Sequence, residues 1–528
     1  MNGSSRSESS TDGSLFCSYQ YDLVDMWSLL TVSLLFLISV VITVTAEHVN
    51  IDVYSHTKDD DRSDAIRRVV SAINADNRFM VARVIERDCN GADLQECSGY
   101  DKEDAFISIH SPEHTEVKVS GLIRKNFRTQ EEMQNLFLQF STEFYLKRSE
   151  EIDNINWWAY ELTAPSVKHL EQLDKLIGKS KERITFALYY EPEGFSNFAA
   201  YYAAGDLFSK GSAYGLVVDC SKEKAICTRE SIQTLPALIS YDKGKQYKRY
   251  SHDMDIALIR DWIKTIQQPV ITKLTEDAVP YYREGGVPGF DEPRPSVIMF
   301  FSATRKSDIY KDYKQFARKH HGDYHLTEIV DRGIEKWAHQ PAFVAMKPLE
   351  TITKANTLYE DITFEKIAEF IEENRHPSVH HLTDGRALFT AFSLGRPVLI
   401  FHDITKTKST LFFSTLASNY PVRSTVAAFA MSQGLSMPGL FLAQLLKVDV
   451  LKPCYVLVDV NKNCVYTQRI ANENEMEIEH WLKTVANEDC QEANLNMEKL
   501  AALKHWTMRD DLRRAVEEQL SSSTHEEL

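Results

Sequence analysis

Residues 215–262 read GLVVDCSKEKAICTRESIQTLPALISYDKGKQYKRYSHDMDIALIRDW, and the order of signals within this stretch decides the fold. Leu216 to Asp219 is a short apolar run of buried-strand type. A short helical segment follows, carrying Cys220 and Cys227. Thr234-Leu235-Pro236-Ala237-Leu238-Ile239 places a proline at the first position of a second apolar run, where its missing N–H does least harm to a sheet. Asp242-Lys243-Gly244-Lys245 is a hairpin turn, with Gly244 free to take positive φ. Tyr247 to Tyr250 returns as a strand. Ile256, Leu258, Ile259, Trp262 and Ile263 then mark one face of a closing helix. The implied order is strand, helix, Pro-led strand, hairpin, strand, helix.

The same order recurs along the chain. In residues 47–150, Val49 to Val53 and Phe79 to Ile85 are strand-like, Asp88-Cys89 and Cys97 parallel Asp219-Cys220 and Cys227, and Ala105 to Ile109 parallels Ala237 to Tyr241. Val117 to Val119 is the expected returning strand. Asp104 stands where the second copy has Pro236. Residues 151–268 form the best-preserved copy. In 269–377, Val297 to Phe301, Ile309 to Phe316, Tyr324 to Val330 and the Pro-led Gln340-Pro341-Ala342-Phe343-Val344 repeat the pattern. In 378–488, Val398 to Phe401, Phe412 to Ser418 and Lys452-Pro453-Cys454 do so again. Residues 489–528 form a tail. Leu500, Leu503, Met508, Leu512 and Val516 fall at helical spacing in it, which predicts a docking or solvent-facing helix.

This pattern closely resembles the second half of a thioredoxin domain in the form found in protein disulfide isomerases. The expected fold is therefore α/β: four tandem thioredoxin-like domains, each a mixed sheet flanked by helices, plus a helical tail. The junction Ile371-Glu372-Glu373-Asn374-Arg375-His376-Pro377-Ser378-Val379 is similar to the b–b′ junction of that family. The resemblance implies a cis proline at Pro236, with Pro341 and Pro453 as its counterparts. It also implies what is missing. After the strand Ile184 to Tyr190 the chain reads EPEGFSNF. Setting Pro192 on the family's proline puts Gly194 and Asn197 where the two active-site cysteines belong. No Cys-x-x-Cys occurs anywhere among the eight cysteines, and neither glycine nor asparagine can supply the thiolate that attacks a disulfide. Family domains carry a second, structural cysteine pair at the place of Cys220 and Cys227, so the resemblance makes these a disulfide candidate and Cys89 with Cys97 another.

The two ends read as addresses. Trp27 to Val44 is a nearly unbroken apolar run followed by Val44-Thr45-Ala46. Read from Met26 it is a signal peptide cleaved after Ala46, the reading preferred here; read from Met1 it is the anchor of a type II membrane protein. His525-Glu526-Glu527-Leu528 resembles the KDEL class of retrieval signals, so a KDEL-type receptor is an expected partner. Together they point to the endoplasmic reticulum lumen, where disulfides persist.

Length sets the domain number at roughly three to five. The formal charge of −16 argues against nucleic acid as a partner. His320-His321 and His380-His381 are read as solvated, and no spacing suits a metal site. Cys454 and Cys464 do not suit each other: a two-residue turn at Asn461-Lys462 sets Cys464 opposite Asp459, pointing away from the side of Cys454, and a three-residue turn sets it opposite Val460, six residues and about 20 Å along the strand. Cys454 is read as a buried thiol and Cys490 as a linker thiol. The leading expectation is a redox-inactive relative, without cofactor, that binds unfolded or nascent secretory proteins or a partner in the lumen. In the family the b′ domain supplies an apolar client pocket; the matching surface here lies around Phe401, Phe412, Phe413 and Phe441, residues that fit a core equally well. Two alternatives stand beside it: a thiol–disulfide oxidoreductase working through Cys454 or another non-CxxC cysteine, and a calsequestrin-like calcium buffer.

Overall fold

The structure is a computed structural model describing residues 152–403, apart from 161–163, 168, 179–182, 331–340, 349 and 351–355. It then describes 412–417 except 414, 428–433, 454–468, 475–485, 490–492 and 497–523; before residue 152 it describes the backbone of four strands. The chain divides into two units, Met1–Phe137 and Leu138–Leu528.

In the first unit β1 (His48–Ser55), β2 (Val81–Asp88), β3 (Ala105–His110) and β4 (Lys125–Phe127) form one sheet in the order β2-β1-β3-β4. β1 runs parallel to β2 and antiparallel to β3. The strand that pairs with β3 is Lys125–Phe127; residues 117–119, expected in that role, lie outside the described residues.

The second unit repeats this topology. Its first sheet is built by α1 (Leu170–Gly178), β5 (Thr185–Tyr190), α2 (Phe195–Ser209), β6 (Gly215–Asp219), α3 (Lys224–Arg229), β7 (Ala237–Asp242), β8 (Lys245–Arg249) and α4 (Ile256–Gln267). The strand order is β6-β5-β7-β8. β5 is parallel to β6 and antiparallel to β7. All six of its residues are buried, which is why TFALYY reads as a continuous apolar run rather than an alternation. Lys243 (φ 52°) and Gly244 (φ 79°) turn β7 into β8 with two left-handed residues, the form that suits the strands' twist. Asp255 caps α4 by accepting from the Ala257 and Leu258 amides. Ile256, Ile259, Trp262, Ile263 and Ile266 make its buried face. Leu258, expected on that face, is exposed, because at 100° per residue it falls on the flank away from Ile263 and Ile266.

A second sheet has the order β13-β12-β10-β11-β9. It comprises β9 (Thr272–Lys273), β10 (Val297–Ser302), α5 (Asp308–Lys319), β11 (Leu326–Val330), β12 (Ala342–Met346), β13 (Thr357–Leu358) and the closing α6 (Phe364–Asn374). A third has the order β14-β16-β15-β17-β18-β19. It comprises β14 (Val379–His381), α7 (Gly385–Phe392), β15 (Val398–Asp403), β16 (Ala428–Gln433), β17 (Cys454–Asp459), β18 (Cys464–Gln468), α8 (Glu475–Thr484) and β19 (Gln491–Glu492). Each sheet of the second unit has its own apolar cluster. Four sheets with one topology make the expected thioredoxin-like repeat the observed architecture.

α9 (Met497–Ser523) ends the described chain. The five apolar residues that predicted it are all buried. It packs on α7 so closely that a Cβ at Gly385 would meet the Leu503 carbonyl at 2.5 Å. It also reaches the β5–β8 sheet: the Tyr202 hydroxyl donates to the Ala515 carbonyl (2.8 Å), and Lys504 and Arg509 pair with Asp253 and Asp153. At the centre Arg386 donates to Asp255 (2.7 Å), Asp384 (3.2 Å) and Asp511 (2.6 Å). Asp255 is 1% exposed, so its charge depends on that guanidinium.

Two histidines expected in solvent are interior. His321 is buried, with Nδ1 2.8 Å from the Tyr247 hydroxyl and Nε2 3.1 Å from the Gln268 carbonyl. His380 is buried beside His376, ring centroids 5.6 Å apart. The polar sequence around each doublet hid this, because the covering residues come from neighbouring domains or distant strands. His320 and His381 are more open. Burial lowers His321, and burial with nearby cationic groups pushes His325 and His380 down to about 4 and His376 to about 3, from 6.5. Arg375 Nε also donates to His376 Nε2 at 2.8 Å, which requires that nitrogen to be unprotonated.

Two outcomes are expected. Arg386→Met strands three carboxylates and costs about 2–3 kcal/mol in urea unfolding, less than the ~3–5 of a fully buried pair because Arg386 is itself partly exposed. The histidine pKa values are lower folded than unfolded, so the unfolded chain binds more protons below pH 6.5. Stability is then full above 6.5 and falls as pH drops from 6.5 toward 4, by up to about 1.4 kcal/mol per pH unit for each histidine. Urea midpoints at pH 7.5, 6 and 5 check this, with His380→Gln flattening the slope.

Candidate functional site

The corner between β5 and α2 is where the sequence places the lost chemistry. Residues 191–194 leave the sheet fully exposed, and Gly194 takes φ 74°, ψ 162° at the cap of α2. A side chain there would be strained by conformation, although a Cβ would meet nothing within 4 Å. Asn197 braces the corner from the first turn of α2. Its Oδ1 accepts from the Glu191 amide (3.1 Å) and its Nδ2 donates to the Glu193 carbonyl (3.0 Å). The Glu193 amide closes the turn on the Glu191 carbonyl at 2.8 Å. An amide can do this because it carries a strong acceptor and a strong donor on separate atoms; a thiol has only a weak donor and a weak acceptor on one sulfur.

Pro236 belongs to the same end of the sheet. Tyr189 pairs with Ala237, so one more step of the antiparallel register sets Pro236 opposite Tyr190, the last residue before the corner. The Leu235–Pro236 peptide bond is cis. Pro341 takes the same register position beside Ser302 in the next sheet; the residue before it, like Pro453, lies outside the described residues.

Aromatic rings pack behind the corner. Trp157 sits 5.5 Å from Phe195 and 5.8 Å from Phe198. Trp158 stacks on Tyr190 (5.6 Å) and meets Phe198 and Tyr201 edge-on or tilted. Phe195, Trp158, Tyr160 and Tyr201 are only half-buried. Trp158 Nε1 has no hydrogen-bond partner in the structure. The Arg509 guanidinium of α9 lies 5.5 Å from the centre of the Phe195 ring, so the C-terminal helix borders this surface. Trp157-Trp158 was legible as a tryptophan doublet, but nothing local showed that it folds back on Phe195 and Phe198.

The sulfur atoms are elsewhere. Cys220 and Cys227 form a disulfide with Cα atoms 5.8 Å apart, the pair that the resemblance implied. It lies beside the corner, since the Cys220 amide donates to the Tyr190 carbonyl (2.8 Å), and both cysteines are buried in the core cluster of this sheet. Cys464 faces Asp459 in the register and so turns away from Cys454, as a two-residue turn implied. It bonds Cys490, Cα atoms 5.5 Å apart. Cys490, read as a linker thiol, is therefore part of the third sheet of this unit, because β19 pairs with β18 and carries the cysteine in beside it. Cys454 is a buried thiol outside any disulfide, at the start of β17 and opposite His402 in the register. Cys89, Cys97, Phe441, Trp27 to Val44 and His525 to Leu528 lie outside the described residues.

The corner after β10 has a different brace. Ser302 and Thr304 bond within the turn, and Arg305 Nε donates at 2.8 Å to Glu328, which is 1% exposed. The loop 405–408 after β15 is outside the described residues. Phe401 and Phe413 are interior to the core with Tyr455 and Phe429, and Phe412 packs half-buried against them. Phe401, 2% exposed, and Phe413, 0%, are therefore core, the second of the two readings that the sequence left open for them. Among the described residues no group of three or more His, Cys, Asp or Glu side chains is placed to hold a metal ion, and no helix is long and apolar enough to cross a membrane.

No protein-family model matches the chain. It is 23% identical over 295 residues to a Schizosaccharomyces pombe protein named "Putative protein disulfide-isomerase", a match taking in 54% of this chain and 54% of that protein. The chain thus spans about half the length of this curated relative. Among solved structures, human ERp44 (form II) matches 65% of this chain and 95% of its own, at 14% identity and TM-score 0.31. The bb fragment of ERp72 matches 42% and 100%, at 12% identity and TM-score 0.32. The relation to protein disulfide isomerases expected from the sequence is borne out by the yeast relative.

Asn197→Ala removes both side-chain bonds of the corner and is expected to cost about 1 kcal/mol in urea unfolding. Limited proteolysis should cut faster at residues 191–194, with Asn197→Asp, which keeps the acceptor alone, falling between.

Proposed function

We propose that this chain, a thioredoxin-fold protein related to the protein disulfide isomerases, is a non-catalytic member of that group. In this reading it resides in the endoplasmic reticulum lumen and binds unfolded clients or a partner protein during folding. The observation that carries the reading is the β5–α2 corner. It keeps the strand, the helix and the opposing cis proline, yet its two key positions are Gly194 and Asn197, and Asn197 is engaged in holding the backbone. Without a thiolate no exchange can begin there. The nearest sulfurs are already bonded to each other and buried. The half-buried rings beside the corner supply the aromatic, apolar area that peptide-binding surfaces use. Cys454 favours the oxidoreductase alternative less, since it is 7% exposed and within the sheet. The lumenal address rests on Trp27 to Val44 and on His525 to Leu528, with a KDEL-type receptor reading the latter.

The purified lumenal chain should suppress aggregation of a reduced, unfolded client without ATP, and should not accelerate insulin reduction by glutathione. Gly194→Cys with Asn197→Cys puts a Cys-x-x-Cys at the corner and should raise insulin reduction above background. Reduction by the unaltered chain, or no client binding at micromolar concentrations, would falsify the proposal.

A further inference from the structure

The end of β5 opposite the corner opens into a cleft of about 870 Å³, within the ~300–1,000 Å³ of small-molecule sites. It lies between the C-terminal half of α1, the start of β5, and the turn from α2 into β6. Leu176, Phe208 and Ala213 line it and are buried. Gly215 must be glycine for this floor to exist, because a Cβ would come within 2.5 Å of the Phe208 ring, which is itself stacked on Phe186.

The mouth is cationic. Lys175 and Arg183 line it and are exposed. The Arg183 guanidinium lies 3.7 Å from the centre of the Tyr214 ring, a stacking that holds it in place while leaving its N–H edge free. No ion pair among the described residues takes up either cation. Asp174, the acid next to Lys175, is turned to Arg229 at 2.8 Å. Residues 175–183 are also basic in sequence, with four cations to one acid in a chain whose net charge is −16. A local positive field over an apolar floor selects by charge first and by shape second.

We infer that this cleft binds a small amphipathic anion. A carboxylate or phosphate head sits between Lys175 and Arg183, and an apolar body lies over Leu176, Phe208 and Ala213. Two cations suit a single head group rather than a polyanion, and the buried floor has no use in binding a free inorganic ion. The site uses no cysteine and stands apart from the corner, so it holds whether or not the chain binds clients.

The test is calorimetric titration of the full lumenal chain with dodecyl phosphate below its micelle concentration, with inorganic phosphate and dodecyl maltoside in parallel. Saturable one-to-one binding of dodecyl phosphate is expected, with each parallel ligand at least about tenfold weaker. Lys175→Glu with Arg183→Glu should weaken dodecyl phosphate by at least about tenfold, and Phe195→Ala at the corner should not. On the unaltered chain, bound dodecyl phosphate should protect Lys175 from amine acetylation, read by peptide mass spectrometry, and leave Lys222 reactive. Equal uptake of dodecyl maltoside, equal affinity for inorganic phosphate, or an unprotected Lys175 overturns the assignment.

Discussion

Asp255 is the most heavily constrained charge in the molecule. One carboxylate oxygen caps α4 and the other accepts from Arg386 at 2.7 Å, while the residue is 1% exposed. A buried carboxylate persists only if its charge is met. Arg386 meets it, and in doing so joins α4 of one domain to α7 of another and to Asp511 of the C-terminal helix. The remaining tail contacts follow from that placement. With α9 held at Asp511, Tyr202 reaches Ala515, Arg509 reaches Asp153, and the Arg509 guanidinium is set against Phe195. The tail is therefore a structural member of the domain whose corner it borders.

The β5–α2 corner is held by a side-chain amide. The strand ends, the helix begins and the opposing proline is kept, but the backbone between them is now closed by an asparagine side chain. The β10–α5 corner reaches the same end by another route, with serine and threonine hydroxyls and the Arg305–Glu328 pair. The two equivalent corners are thus held by different side chains.

Most of the fold was legible because its signals are local. The apolar run of β5, the Lys243-Gly244 turn and the apolar positions of α9 each need only a window of a few residues. Cys220 and Cys227 were legible through the family pattern. What stayed hidden comes from distant partners. Arg386 lies 131 residues from Asp255 and 125 from Asp511. Cys490 finds Cys464 through a strand of two residues, too short for any periodicity. His321 and His380 sit among polar neighbours in sequence and are covered by other elements in space. The phenylalanines of β15 and the segment after it failed in the opposite direction: an apolar residue at strand spacing is equally compatible with a pocket and a core, and only packing decides.

β5 also carries a division of labour that follows from its geometry. Its C-terminal end opens on a corner with four exposed residues, Glu191, Pro192, Glu193 and Gly194, two of them acidic, backed by aromatic rings. Its N-terminal end opens on the cleft with Lys175 and Arg183 at the mouth. A ligand's charge therefore selects the end. An anion is repelled from Glu191 and Glu193 and drawn to the cleft, while a basic or neutral apolar peptide is free to approach the rings. Because β5 is buried along its whole length and packed on both faces, the two ends share a rigid spine. Coupling between sites requires an element with two discrete arrangements, and a strand packed on both faces is poorly suited to be one. The two surfaces are thus expected to act independently, each read by its own charge.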